Sequence, residues 1–239
     1  MIKLDIKDKI AVVQLDRPKQ KNALSTSLLK ELQNVFIDLQ NDDTVSIIVI
    51  RGGVDFSAGG DIKEMTDVSD RESAELLISK VQAAFDTIYQ TQKIVIAYTE
   101  GLVFGGGMEL AMVSDLVFSH SNAQFSMPET ALGIIPGAGG TQYLPRLIGK
   151  RNAAYMLLFG KIFSAEQMKE MGLIQEIIDD FSDLTPFLNT LLEKDRDSLM
   201  AIKKLLRTEQ VDLKKEADLF VDLLMGNGKQ KIADFLKNR

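Results

Sequence analysis

Hydrophobic and polar residues alternate near the start of the chain and predict an antiparallel hairpin. Residues 2–7 and 10–15 each alternate with a period of two, and the polar pair Asp8-Lys9 separates them. Two later apolar runs, 45–52 and 93–101, are rich in β-branched residues and do not alternate. Such runs are typical of strands that are buried on both faces. The pattern therefore predicts a sheet with a hairpin at its edge and buried strands behind it.

Segments with helical periodicity lie between these strands. Ser25 can cap a helix that runs to about Gln40, and residues 71–91 form a second amphipathic pattern. The stretch 54–65 predicts a glycine loop that opens into a helix. The remaining predicted elements are, in order, a short helix that ends near Met112, a strand over 115–119, loop-rich stretches over 123–129 and 133–144, a helix over 151–160, a helix that Ser164 and Gln167 cap and Gly172 closes, and a strand over 173–178.

The order of elements predicts two regions. Strands, loops and helices alternate up to residue 178, which indicates an α/β core, and the chain beyond is helical. We place the core, with any active site, at 1–182 and the helical region at 183–239. The segment 197–238 is predicted as helix, with an apolar stripe at helical spacing formed by Leu213, Ala217, Phe220 and Leu224. The stripe predicts contact with another subunit, although packing on the chain's own core would give the same periodicity.

Composition narrows the class of protein. The chain has 239 residues, 45% hydrophobic and 26% charged, which is typical of a soluble globular protein. A net charge of −6 argues against nucleic-acid and membrane-surface partners. Cysteine is absent, which excludes disulfides and thiolate chemistry, and the single histidine, His120, stands in a polar loop. The charged N-terminal stretch does not resemble a signal peptide, so we expect a cytoplasmic protein.

Candidate chemistry centres on two glutamates beside glycines. In VFGGGMELA a helix is predicted to begin near Gly107, directly before Glu109. Glycine allows close approach to the backbone, and free N–H groups at a helix start favour negative charge. Glu129 follows Pro128 and precedes a second glycine-rich stretch, 133–140, which lacks the phosphate-loop pattern.

Two convergent carboxyl groups can supply a proton acceptor and a proton donor. The alternative interpretation is that the glycine tract is a flexible turn and that the two glutamates are ordinary surface charges. Glycosidases also use a carboxyl pair, but this chain has no tryptophan to form a sugar platform.

Five stretches in order resemble the crotonase (enoyl-CoA hydratase/isomerase) superfamily. They span residues 17–174 and read RPKQKNALS, FSAGGDIKEM, GLVFGGGMELAMVSD, FSMPETALGIIPGAGGTQYLPRLIG and SAEQMKEMGLI. The resemblance implies an α/β fold with a crotonase-like ββα spiral core and a C-terminal helical trimerisation region. It also implies a homotrimer or a hexamer built as a dimer of trimers.

The resemblance further implies reversible addition of water across the C2–C3 double bond of a 2-enoyl thioester in fatty acid metabolism. The thioester carbonyl would lie between the backbone N–H groups of Gly60 and Gly106. Glu109 would hold and deprotonate the water, and Glu129 would deliver a proton to the α-carbon. Coenzyme A (CoA) would be part of the substrate, with no separate cofactor or metal. The residues implied in binding substrate and CoA are Gly60, Gly106, Ala58, Asp61, Ile62 and Lys63, with Lys19 and Lys21 near the phosphates.

Two positions depart from the family pattern. Glu100 stands where the family usually has asparagine, and Tyr143 stands where arginine is common. We expect these changes to retune substrate choice, and they leave open whether CoA or an acyl carrier protein carries the acyl group. The alternatives to hydration are an isomerase or dehydratase on an unusual acyl chain and a non-catalytic crotonase-fold binding protein.

Overall fold

The computed structural model describes residues 1–208 and 210–237, which form two β-sheets and a series of helices. The strands are β1 (Ile2–Lys7), β2 (Ile10–Leu15), β3 (Ile47–Arg51), β4 (Ile94–Thr99), β5 (Leu102–Phe104), β6 (Leu116–Ser119), β7 (Gln124–Ser126), β8 (Phe163–Ser164) and β9 (Glu176–Ile177). The helices are α1 (Thr26–Gln40), α2 (Ile62–Thr66), α3 (Arg71–Gln90), α4 (Gly106–Met112), α5 (Gly140–Ile148), α6 (Lys150–Phe159), α7 (Ala165–Glu170), α8 (Thr185–Leu192), α9 (Arg196–Leu206), α10 (Leu213–Leu223) and α11 (Lys229–Lys237). The α/β fold class is confirmed.

The larger sheet has the order β1-β2-β3-β4-β6-β9. β1 pairs antiparallel with β2, with Ile2 opposite Leu15, so the predicted edge hairpin is confirmed. The remaining neighbours pair in parallel. Because β2, β3 and β4 run in the same direction, the loops that follow them leave from one edge of the sheet. The loop after β3 carries Gly59 and Gly60, and the chain after β4 passes through β5 into the glycine tract that begins at Gly105.

Buried apolar residues explain the central strands and the first helices. Every residue of β4 is buried, and β3 is buried from Ile47 to Ile50, as expected for strands covered on both faces. Ser25 caps α1 by accepting a hydrogen bond from the Leu28 N–H. The predicted capping box of Ser164 and Gln167 is present at the start of α7.

The stretches predicted as loops contain strand β7 of a second sheet and the start of helix α5, so that prediction is wrong. β7 pairs in parallel with β5 and antiparallel with β8. These strands have two or three residues each, too few for a periodic pattern to register. α5 begins at Gly140 and contains Pro145, both of which favour loops in sequence. Burial of Leu144 and Ile148 and packing against α6 stabilise this helix nonetheless.

The chain divides into a compact unit from Met1 to Leu188 and a second unit that begins at Asn189. The described part of 197–238 is helical as predicted, but as separate helices, because α9 ends at Leu206 and α10 begins only after Asp212, whose side chain caps it. The backbone kinks again at Gly226, between α10 and α11. Glu209, Asn238 and Arg239 fall in the predicted helical region but lie outside the described residues. No helix among the described residues is long and apolar enough to cross a membrane.

Candidate active site

The glycine tract forms a sharp turn between β5 and α4. Gly105 has a φ of 48°, in the left-handed region that favours glycine, and its carbonyl accepts the first helical hydrogen bond from Glu109 N–H at 2.9 Å. The N–H of Gly106 lies ahead of that first bond, and therefore has no acceptor within the helix. The helix starts one residue earlier than predicted, and the predicted turn is confirmed.

A second loop brings Gly60 beside this turn. Gly60 forms a parallel bridge with Leu24, in which Leu24 N–H donates to Gly59 O at 2.7 Å and Asp61 N–H donates to Leu24 O at 3.3 Å. In such a bridge the N–H of the central residue points to the opposite side. A Cβ built on Gly106 would lie 3.4 Å from Gly60 N. The backbone amides of the two glycines therefore lie side by side at the wall of one cavity.

Glu109 projects from the first turn of α4 and is only 3% exposed. Its Oε1 accepts hydrogen bonds from the N–H groups of Ala138 and Gly140, each at 2.8 Å. Burial raises the pKa of Glu109, and these two backbone donors lower it by stabilising the ionised form. Burial is the larger effect, so the pKa of Glu109 is raised overall, and the two backbone donors fix the carboxyl group through one oxygen.

Glu129 begins a short 3-10 helix, Glu129–Leu132, directly after Pro128. A Cβ on Gly105 would lie 2.9 Å from Glu129 Oε1, so this carboxyl group packs against the glycine turn. Its Oε2 is buried and has no hydrogen-bond partner among the described residues. The pKa of Glu129 is raised to about 7, chiefly because the carboxyl group is buried. A hydrogen bond from the backbone N–H of Glu129 opposes this rise, and the nearby charge of Glu109 adds to it.

Both glutamates and both glycines line one cavity of about 730 Å³. One wall is apolar and comes from α3 and the segment that precedes α5. Among the residues that line the cavity, Asp61, Glu64, Glu109 and Glu129 are acidic, and none is lysine, arginine or histidine. The apolar lining residues on that wall are Leu77, Ile78, Val81, Leu132, Ile134, Ile135 and Pro136.

The predicted CoA-binding residues divide into two groups. Ala58, Asp61 and Ile62 line the cavity, as do Gly60 and Gly106. Lys19, Lys21 and Lys63 are exposed and do not line it.

The sequence did not predict three features of the site. The glycine-rich stretch 137–140 lacks the phosphate-loop pattern, but the N–H groups of Ala138 and Gly140 bind the carboxylate of Glu109. Arg17 forms an ion pair of 3.2 Å with Asp61, which ties the first basic loop to the rim of the cavity. Ser57, on the loop that carries Gly59 and Gly60, is completely buried. The spacing of glycines gave a signal for the first, but no local pattern marks the other two.

The two departures from the family pattern lie outside the cavity lining. Glu100 is buried, accepts a hydrogen bond from Gly53 N–H at 2.7 Å and pairs with Arg51 at 3.0 Å. Tyr143 packs against the ring of Tyr89, with 5.4 Å between centroids. Neither side chain lines the cavity, so any effect on substrate choice would have to be indirect.

The described residues form no cluster of side chains that could hold a metal ion. His120 accepts a hydrogen bond from Asn122 N–H at its own loop, as its sequence context predicts. Within residues 1–208 and 210–237, no three His, Asp or Glu side chains converge as a metal site would require.

Comparisons with known proteins agree on one family. The family model described as enoyl-CoA hydratase/isomerase matches residues 5–233. The mitochondrial enoyl-CoA hydratase of Pongo abelii is 43% identical over 169 residues, which cover 70% of this chain and 57% of that protein. The 2,3-dehydroadipyl-CoA hydratase of Escherichia coli is 33% identical over 241 residues, or 97% of this chain and 93% of that protein.

Solved structures extend the agreement to the fold. The enoyl-CoA hydratase of Thermoplasma volcanium superposes with a TM-score of 0.90 at 31% identity, covering 99% of this chain and 96% of that chain. The enoyl-CoA hydratase of Bacillus anthracis superposes with a TM-score of 0.93 at 28% identity, covering 100% and 96%. The similarity therefore includes the helical C-terminal region.

Proposed function

The chain belongs to the enoyl-CoA hydratase/isomerase family, and we propose that it adds water reversibly across the C2–C3 double bond of a 2-enoyl thioester. The observation that carries this proposal is the pair of buried glutamates that line one cavity with two adjacent backbone amides. Relatives named as hydratases, with 33–43% identity, support the same reaction. The enzyme would be a carbon–oxygen lyase.

The amides of Gly60 and Gly106 would bind the thioester oxygen. As water attacks C3, the electron pair of the double bond moves towards the carbonyl and places negative charge on that oxygen. Two N–H groups already oriented towards this charge stabilise the transition state without further reorganisation. The absence of a side chain at both positions lets the carbonyl approach the backbone.

Glu109 would act as the base. The two backbone N–H groups on Oε1 favour its ionised form and fix its orientation, which leaves the second oxygen to hold and deprotonate the water. The hydroxyl oxygen then bonds to C3, and the proton of the water passes to Glu109.

Glu129 would act as the acid. With a pKa raised to about 7, it holds a proton at neutral pH more readily than an ordinary glutamate. It transfers that proton to C2 as the enolate collapses back to the thioester. The active state of the pair therefore contains one proton, and the reverse reaction uses the same total protonation.

The lining of the cavity favours a neutral acyl chain. The wall of aliphatic residues on α3 and before α5 offers dispersion contacts, and the lining contains no cationic side chain to pair with a terminal carboxylate. We extend the proposal to CoA as the carrier, since Lys19 and Lys21 are exposed on the first basic loop and Lys63 is exposed on α2, next to Ile62 of the cavity lining. These lysines could meet the phosphates of CoA.

The second unit supports assembly into a trimer or a hexamer. Helices α10 and α11 contain no buried residue, and Leu213 and Phe220 are 70% and 64% exposed. An apolar stripe left exposed in the single chain is typical of a surface that another subunit covers.

Loss of the conjugated thioester absorbance of crotonyl-CoA and longer 2-enoyl-CoAs tests the proposal. We expect turnover by the wild-type protein and none by a variant with both Glu109→Gln and Glu129→Gln. Turnover of a 3-enoyl-CoA to the 2-enoyl isomer without hydration would instead assign an isomerase. Tight binding of acyl-CoA with no turnover of either substrate would assign a binding protein.

A further inference from the structure

The buried side chain of Ser57 contacts the neighbours of both glycines whose amides would bind the thioester oxygen. It is 0% exposed and forms a parallel bridge with Val103 of β5. Its N–H donates to Leu102 O at 2.9 Å, and its carbonyl accepts from Phe104 N–H at 3.0 Å. The backbone of Ser57 is therefore fixed to the strand that leads into the glycine turn.

The hydroxyl group of Ser57 connects its own loop, which carries Gly59 and Gly60, to the loop that contains Asn22. Its Oγ accepts a hydrogen bond from Gly59 N–H at 3.1 Å and donates to Asn22 O at 2.9 Å. Because Oγ–H is engaged with a carbonyl, the oxygen is oriented as an acceptor for Gly59. Gly59 has a φ of 104°, and it directly precedes Gly60. This hydrogen bond fixes a peptide that glycine alone would leave free to rotate.

Ser57 also packs against the start of α4. A Cβ on Gly107 would lie 2.5 Å from Ser57 O and 2.7 Å from Ser57 Cβ, so the two residues are in close contact. Gly107 directly follows Gly106. The side chain of Ser57 thus contacts Gly59, which precedes Gly60, and Gly107, which follows Gly106.

We infer that Ser57 is a positioning residue that sets the separation and direction of the Gly60 and Gly106 amides. This inference rests on the proposed function, because it gives Ser57 a role only if those amides bind a carbonyl oxygen. Ser57 does not line the cavity, and it acts entirely through its neighbours. A merely structural role would lower stability without changing the carbonyl interaction.

Ser57→Ala removes the hydroxyl and retains the Cβ, and Ser119→Ala is the matched control. Ser119 is also 0% exposed, its hydroxyl donates to His120 O at 3.0 Å, and it does not line the cavity. We expect both variants to unfold at lower temperature. Only Ser57→Ala should lower kcat, by about 10- to 100-fold, with KM changed less than about threefold, because the lost interaction acts in the transition state.

The decisive measurement is the carbonyl stretching frequency of bound butanoyl-CoA labelled with ¹³C at the thioester carbon. Butanoyl-CoA is saturated, so it binds without being hydrated. Hydrogen bonds lower the frequency, and Ser57→Ala should move it back towards its value in solution while Ser119→Ala leaves it unchanged. A frequency and kcat that stay at wild-type values in Ser57→Ala, or an equal loss in both variants, would overturn the inference.

Two further results keep the test decisive. If Ser57→Ala does not fold, Ser57→Cys keeps a side chain at this position but offers a weak acceptor, so it should give a smaller shift in the same direction. An unshifted frequency in that variant would again count against the role of Ser57. If the wild-type protein hydrates no 2-enoyl-CoA, the proposed function fails, while the frequency still decides whether Ser57 positions the amides.

Discussion

The N–H of Gly140 donates a hydrogen bond of 2.8 Å to Oε1 of Glu109 and joins the start of α5 to the first turn of α4. A Cβ on Gly140 would lie 2.6 Å from Pro136 Cβ and 3.1 Å from the same carboxylate oxygen. Glycine is therefore required for this approach. The contact fixes one of the two carboxyl groups on which the proposed reaction depends.

We expect Glu109 and Glu129 to act as one unit. Glu109→Gln and Glu129→Gln should each lower kcat on a 2-enoyl-CoA by about 10³-fold, since each removes a proton-transfer group. The double variant should be little worse, because residues that cooperate in one step are not additive. Steady-state kinetics of the three variants measure this. A single variant with near-wild-type turnover would contradict the hydratase proposal.

The raised pKa of Glu129 predicts how activity depends on pH. The active pair holds one proton, so hydration should lose activity as the pH rises through about 7. Dehydration of the 3-hydroxy product should lose activity with the same midpoint, since both directions use the same protonation state. Profiles of kcat/KM in both directions test this, and different alkaline midpoints would count against a shared proton.

The same pKa predicts a change of stability with pH. The folded protein binds the Glu129 proton more tightly than the unfolded chain, so this stabilisation is complete below the unfolded pKa of 4.5. It is lost as the pH rises through about 7. The free energy of unfolding should therefore fall between about pH 5 and about pH 8. Glu129→Gln should flatten this fall only in part, because the pKa of Glu109 is raised too. Urea titrations across the range measure it, and an unchanged slope in Glu129→Gln would contradict the assigned pKa.

A side chain at Gly106 should block the proposed oxyanion site. A Cβ there would make ordinary contacts of 3.4 Å with Gly60 N and Leu24 Cδ1, so Gly106→Ala should fold. Its methyl group would occupy space beside the Gly60 amide and lower kcat by about 10²-fold, and the larger Gly106→Val should abolish turnover. Circular dichroism establishes folding beside the assay. Ordinary activity in a folded Gly106→Val protein would mean that the oxyanion site lies elsewhere.

The aliphatic wall of the cavity should discriminate against a charged acyl end. Hex-2-enoyl-CoA should have a higher kcat/KM than 2,3-dehydroadipyl-CoA, which has the same length and a terminal carboxylate. Ile78→Arg on α3 should improve the relative kcat/KM for the carboxylate by about tenfold, and Ser79→Arg, which does not line the cavity, is the control. A wild-type preference for the carboxylate would show that the aliphatic wall does not set the choice of acyl chain.

The sequence by itself predicted most of the fold and the four residues, Gly60, Gly106, Glu109 and Glu129, that line one cavity. Period-two alternation fixed the hairpin β1–β2, β-branched runs fixed β3 and β4, and capping residues fixed the starts of α1 and α7. These signals are local, since each depends on neighbours within a few positions of the chain. The glycine tract before Glu109 was readable for the same reason, because only glycine adopts the backbone of that turn at low cost.

Only the tertiary structure decided the short strands, α5 and the chemistry of the two glutamates. β7, β8 and α5 are stabilised by distant partners that outweigh their weak local preferences. Glu109 is held by amides 29 and 31 residues away, and Ser57 joins Asn22 to Gly59 across the interior. The pKa of Glu129 depends on its burial and on a second charge brought close by folding. Burial and electrostatic interaction are properties of distance in space, so a pattern along the chain does not contain them.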